Sequence, residues 1–222
     1  MKQKKTSSQV FCGIDEAGRG PVLGPLVMCA VCSGDIAYLE SLGIKDSKKL
    51  TKKKREELFE KIHKHCFVHT VVFDAKKINS LMDEQVNLNQ IEHMMTLELF
   101  LQVKKHQPAR MFIDCPSTNV IAYTNSLSQF CPCPIVCEHR ADDQYVIVGA
   151  ASIIAKVTRD REIESLQSQV DEQIGSGYPS DPVTKMFLQR NWDKFDFFRV
   201  HWKPYEQLAQ AKKNTTLGKF FS

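Results

Sequence analysis

A mixed α/β sheet flanked by helices, with a small helical extension at the carboxyl terminus, is the fold class predicted for these 222 residues. Three observations carry that expectation. Short apolar runs bounded by Gly, Pro and Asp alternate along the chain with longer stretches whose apolar residues recur at helical spacing. The composition, 42% hydrophobic and 25% charged, is that of a globular chain and not of a disordered, collagen-like or coiled-coil one. The length suits one domain, or a domain with an appendage, and no internal repeat or boundary-like stretch interrupts it.

Taken in order, residues 10–15 form the first expected strand, 17–25 a turn rich in glycine and proline, and 26–32 a second strand. Residues 46–65 carry Leu50, Leu58 and Ile62 among many charges, a helical pattern, and 67–73 return to strand character. A second helix is expected over 89–107, where Ile91, Met95, Leu99 and Val103 keep helical spacing until Pro108 stops it. Short strands follow at 111–114, ending on a carboxylate, and at 135–136. A long helix rich in small residues is expected over 146–173, a loop over 175–182, a helix over 183–191, an aromatic stretch over 192–202 and a last helix over 204–212.

No stretch approaches the roughly 18 uninterrupted apolar residues of a membrane span, and the first residues are polar with no apolar core behind them, so neither insertion nor secretion is expected. The charge balance, 30 Lys+Arg against 26 Asp+Glu for a net +4, permits a polyanionic partner without requiring one. The eight cysteines are read as reduced and mostly buried, because free thiols pack as small hydrophobes. Cys29 and Cys32 fall inside an apolar strand; Cys131, Cys133 and Cys137 are broken up by prolines, with His139 alone as a fourth ligand should zinc bind there.

Four acids stand at strand ends or helix starts: Asp15 and Glu16, Asp114, and Asp142. Singly, each reads as a turn former or helix cap. Together at the end of one sheet they repel unless a hard divalent cation neutralises them, which implies Mg²⁺ or Mn²⁺. Successive strand residues point to opposite faces, so Asp15 and Glu16 both reach one ion only if the glycine-rich turn breaks the pleat and swings Glu16 around.

The run G-I-D-E-A-G-R-G-P at 13–21, followed by Gly24 and Pro25, resembles the opening motif of type 2 ribonucleases H. Five further blocks match in order: D-S-K-K-L at 46–50, N-L-N at 87–89, F-I-D at 112–114, A-A-S-I-I-A-K-V-T-R-D at 150–160, and G-S-G-Y-P-S-D-P at 175–182, the last resembling the archaeal and eukaryotic branch. The resemblance implies an RNase H-like fold, with residues 10–205 as the catalytic domain between a polar tail at 1–9 and a tail at 206–222. It implies endonucleolytic cleavage of the RNA strand of RNA–DNA hybrids and of single ribonucleotides in duplex DNA, on the 5′ side of the ribonucleotide, leaving a 3′-hydroxyl and a 5′-phosphate.

On the same resemblance, Asp15, Glu16, Asp114 and Asp142 are the catalytic, metal-holding carboxylates, for two divalent ions about 4 Å apart. Gly18, Arg19 and Gly20 meet the 2′-hydroxyl, the glycines letting the backbone approach a sugar, and Tyr178 stacks at the RNA–DNA junction. Lys48, in the densest basic run, contacts phosphate, with Lys156 and Arg159 as further phosphate contacts. The run at 52–55 also resembles a nuclear-import patch, and location is expected to be cytoplasmic, or nuclear in a eukaryote.

The last residues resemble a clamp-binding box, with Asn214 where Gln is usual, then Leu217, Phe220 and Phe221, one short turn presenting three apolar groups to a sliding clamp. A monomer with no membrane partner is expected. Two other readings stay open: a hybrid nuclease that needs several consecutive ribonucleotides, and a non-catalytic binding module.

Overall fold

The computed structural model describes residues 9–44 and 50–220. Among them five strands, β1 (Phe11–Ala17), β2 (Leu26–Ser33), β3 (Phe67–Phe73), β4 (Arg110–Asp114) and β5 (Ile135–Glu138), form one sheet in the order β3-β2-β1-β4-β5. β2 runs antiparallel to β1, with Cys12 opposite Cys32 and Asp15 opposite Cys29. β4 and β5 run parallel, with Ile14 beside Ile113 and Asp114 beside Glu138. Every residue of β2 is buried, the pattern of a strand covered on both faces.

The helices are α1 (Ile36–Ser41), α2 (Lys52–His65), α3 (Ala75–Asp83), α4 (Leu88–Val103), α5 (Val120–Ser128), α6 (Ala141–Gln144), α7 (Val146–Gln167), α8 (Pro182–Asn191) and α9 (Lys203–Phe220). Their starts follow capping chemistry. Thr51 accepts from the Lys54 N–H at α2, Asp74 from Lys77 at α3, Asn119 from Ala122 at α5, and Asp181 from Val183 at α8, where Pro182 takes the first helical position.

The chain divides into two compact units: one holds the residues up to Ala17, Val27–Val71 and Glu92–Val157, the other Gly18–Leu26, Val72–Ile91 and the residues from Thr158 onward. In the first, Val27, Cys29 and Val31 of β2 pack with Leu58 and Ile62 of α2 and with Ala150, Ala151 and Ile154 of α7. The small residues let α7 lie close, and Gly13 of β1 takes this furthest: a Cβ there would sit 2.4 Å from the backbone C and O of Ile147. In the second, Val22 and Leu23 pack with Ile163, Ile174, Phe187, Leu188, Phe197 and Phe198.

The expected alternation of strands and helices is present, with shifted boundaries. The helix expected from 46 begins at Lys52, behind the Thr51 cap. The one expected to reach 173 ends at Gln167. The last helix, expected to stop at 212, continues to Phe220, since no proline follows Pro204 and Gly218 is the first glycine; the clamp-like segment is therefore helical backbone, not a separate short turn. α1, α3, α5 and α6 are not among the expected elements. All eight cysteines are free thiols, five of them buried.

Candidate active site

In the first unit, Asp15 is 6% exposed at the carboxyl end of β1, beside the end of β4. Burial raises its carboxyl pKa to about 6; Lys156 and the Ser152 hydroxyl, both on α7, favour the charged form, while Asp114 opposes it. Lys156 in turn donates to the Ser152 hydroxyl one helical turn away. Lys156, expected as a phosphate contact, thus lies where its charge also favours the ionised form of Asp15.

Asp114 Oδ1 accepts from the Ala141 N–H at 3.0 Å, which ties the end of β4 to the start of α6. Asp142, the next residue, is buried and borders a cavity of about 330 Å³ shared with Glu40 and Asp143. Asp143 is held by Arg140, whose Nη2 lies 2.7 Å from its Oδ2. Of the two adjacent acids, the inward one is thus the one that spacing had singled out.

Glu16 corrects one expectation. The pleat does not break at the glycine turn: β1 stays in register with β2 through Glu16 opposite Met28 and Ala17 opposite Val27. Asp15 accordingly meets α7, while Glu16 acts on the other face, where its charge helps burial push the Tyr123 hydroxyl up. Among the described residues no three His, Cys, Asp or Glu side chains gather closely enough to hold one ion. The carboxylates suit a hard divalent cation in kind, all being oxygen donors, and Asp15 and Asp114 are already neighbours whose mutual repulsion a cation would relieve.

In the second unit, Gly18 adopts φ +92°, and a Cβ there would meet the Pro25 carbonyl at 2.5 Å, so only glycine makes this turn. Gly20 lies against the Tyr178 ring, a built Cβ being 3.7 Å from its Cε1. The turn and the Tyr178 loop are laced by the Val22 N–H donating to the Gly177 carbonyl at 2.8 Å. The turn that carries Gly18, Arg19 and Gly20 thus lies against the Tyr178 loop.

Arg159 is placed differently: it is buried, its Nη2 donates to the Ser176 carbonyl at 2.9 Å, and its guanidinium lies 5.1 Å from the centre of the Tyr178 ring. It supports the Tyr178 loop from beneath instead of reaching out to phosphate. Lys48 and Phe221 lie outside the described residues, as do the side chains of Leu217 and Phe220; Asn214 is exposed. Two residues gained no role from sequence reasoning. Asn89 accepts from Arg19 Nη2 at 2.9 Å, a use of the N-L-N block, and Arg199 sits buried against the turn.

The comparisons agree with this architecture. The model of the family described as ribonuclease HII matches residues 12–205. A ribonuclease HII of Methanococcus maripaludis (strain C7) is 46% identical over 189 residues, covering 82% of this chain and 78% of that protein. The RNase HII solved in complex with PCNA from Archaeoglobus fulgidus superposes with a TM-score of 0.82 at 38% identity, covering 87% of this chain and 95% of that one. Bst-RNase HIII in complex with Mn²⁺ shares the fold, with a TM-score of 0.78 at 21% identity, over 95% of this chain and 72% of that one. The mixed five-stranded sheet with its flanking helices is an RNase H-like fold. This chain belongs to the ribonuclease HII family and is a ribonuclease H.

Proposed function

We propose that this nuclease cuts the RNA strand of RNA–DNA hybrids and single ribonucleotides embedded in duplex DNA, on the 5′ side of the ribonucleotide, leaving a 3′-hydroxyl and a 5′-phosphate. The observation that carries the reading is the Gly18–Arg19–Gly20 turn with the Tyr178 ring against it. It offers backbone N–H and C=O groups free of side-chain bulk, beside an aromatic face. That suits one ribose and its base, because the 2′-hydroxyl both donates and accepts. A reader of single sugars has no need of several consecutive ribonucleotides.

Asp15, Asp114 and Asp142 would hold divalent Mg²⁺ or Mn²⁺, and Glu16, on the other face of β1, would serve only a separate ion. Bound there, such ions supply an activated water and neutralise charge on the leaving oxygen. The chain's own residues prepare the donors. Lys156 and Ser152 keep Asp15 ionised despite burial, and the Ala141 N–H orients Asp114. A pure binder gains nothing from these mutually repelling acids. The test is a duplex DNA carrying one ribonucleotide, incubated with and without Mg²⁺, with the cut mapped. Wild type is expected to cut once, only with metal; Asp114→Asn is expected to bind but to cut about 10³-fold more slowly or worse. Full activity in that variant, or cutting elsewhere, would refute the reading.

The carboxyl-terminal box, with Asn214, Leu217, Phe220 and Phe221, is assigned to a sliding clamp; the Archaeoglobus fulgidus relative in complex with PCNA supports this. Deleting residues 213–222 should leave hydrolysis of a short hybrid unchanged and remove clamp binding in a pull-down or calorimetric titration. Unchanged clamp affinity would dispose of the assignment. We place the enzyme in the cytoplasm, or in the nucleus of a eukaryotic cell.

A further inference from the structure

Arg199 lies in an aromatic stretch that no motif marked, and it is fully buried. Its Nε donates to the Gly24 carbonyl at 2.9 Å and its Nη1 to the Arg19 carbonyl at 3.3 Å. Its backbone N–H donates to the Val22 carbonyl at 2.8 Å. One residue from the far end of the sequence therefore clasps the turn at three points. The guanidinium packs 4.9 Å from the centre of the Trp202 ring, and its partners are carbonyls, not carboxylates.

This placement is costly. Burial and the like charge of Arg159 hold the Arg199 pKa down at about 9, and Nη2 of Arg199 and Nε of Arg159 are enclosed without hydrogen-bond partners. A methionine would fill the same volume without that cost. What a guanidinium adds is a rigid planar fork whose separate Nε and Nη1 donors hold two carbonyls in a fixed geometry; methionine offers no donor, and lysine's three donors share one nitrogen on a flexible stem.

We propose that Arg199 is a positioning residue for ribonucleotide recognition: by holding the Arg19 and Gly24 carbonyls it fixes the Gly18–Arg19–Gly20 backbone in the shape that reads the 2′-hydroxyl. The proposal rests on the substrate reading above and adds a residue to it. It acts without touching substrate, so its signature is a change in selectivity and not a uniform loss.

The test compares wild type, Arg199→Lys and Arg199→Met, each confirmed folded by circular dichroism, on a duplex with one ribonucleotide and on a hybrid with a long RNA strand. A long RNA strand offers many registers and more phosphate contacts, so it depends less on one sugar contact. Cleavage at the single ribonucleotide is expected to fall about ten- to a hundredfold more than cleavage of the long hybrid, mainly through KM, with lysine intermediate. Hydrogen exchange at the Val22 and Gly24 amides, measured without substrate, is expected to quicken in the same order. An equal loss on both substrates, or unchanged exchange in the folded variants, overturns the proposal. Wild type failing to cut the single ribonucleotide instead refutes the substrate reading, while KM on the long hybrid and the exchange rates still decide the role of Arg199.

Discussion

Asp15→Asn is expected to abolish cleavage while making the metal-free protein more stable at neutral pH. The carboxyl is buried, and its folded pKa of about 6 lies above the ordinary 3.8. A group whose pKa rises on folding lends stability below its unfolded pKa and loses it as pH climbs through the folded one. The window is therefore pH 4 to 6, above which the ionised carboxylate costs on the order of 3 kcal/mol. Asparagine is isosteric, stays neutral and can still accept the Glu16 N–H that Asp15 Oδ1 takes at 2.7 Å. Lys156, only half-buried, can hydrate its ammonium once the carboxylate is gone. Melting curves in chelator should show the variant ahead by several degrees at pH 8, with the gap closing below pH 4. Wild type melting at or above the variant across that range would show that Asp15 is not held at such a cost.

Much of this site was legible because a motif fixes residue type at a position, and residue type is what chemistry needs. Asp15 and Asp114 are neighbours, Asp142 is buried where Asp143 turns to Arg140, and the turn carries Tyr178 against Gly20. What sequence could not carry was direction. Lys156 and Arg159 share a motif and a helix, and both read as phosphate ligands, yet one meets Asp15 and the other is buried under Tyr178. Glu16 keeps the strand's period because β2 pairs with β1 beyond it. Arg199 could not be found at all, since its partners Arg19 and Gly24 lie at the opposite end of the chain. The short helices α1 and α3 escaped notice for a local reason: their starts are set by single capping residues, Asp35 and Asp74, and they are too short for periodicity to register.

Gly13 gives the largest expected loss of stability. It lies mid-strand in β1, paired with Val31 on one side and Phe112 on the other, so its value is not conformational freedom. An added Cβ would stand 2.4 Å from the C and O of Ile147 and 2.5 Å from the Val148 nitrogen, all backbone of α7. No rotamer relieves such a contact; either β1 or α7 must move. α7 also carries Ala150, Ala151 and Ile154 into the core and Ser152 and Lys156 to Asp15, so movement breaks packing and site together. Gly13→Ala should cost more than about 4 kcal/mol, beyond the usual range for one substitution. Gly43→Ala is the matched control: its φ of +68° strains any side chain, but nothing lies within 4 Å of the new Cβ, and the expected cost is only about 1 kcal/mol. Urea unfolding of the two variants, alongside cleavage assays, separates backbone strain from steric approach. If Gly13→Ala proves no worse than Gly43→Ala, the close packing of α7 on β1 does not hold this fold.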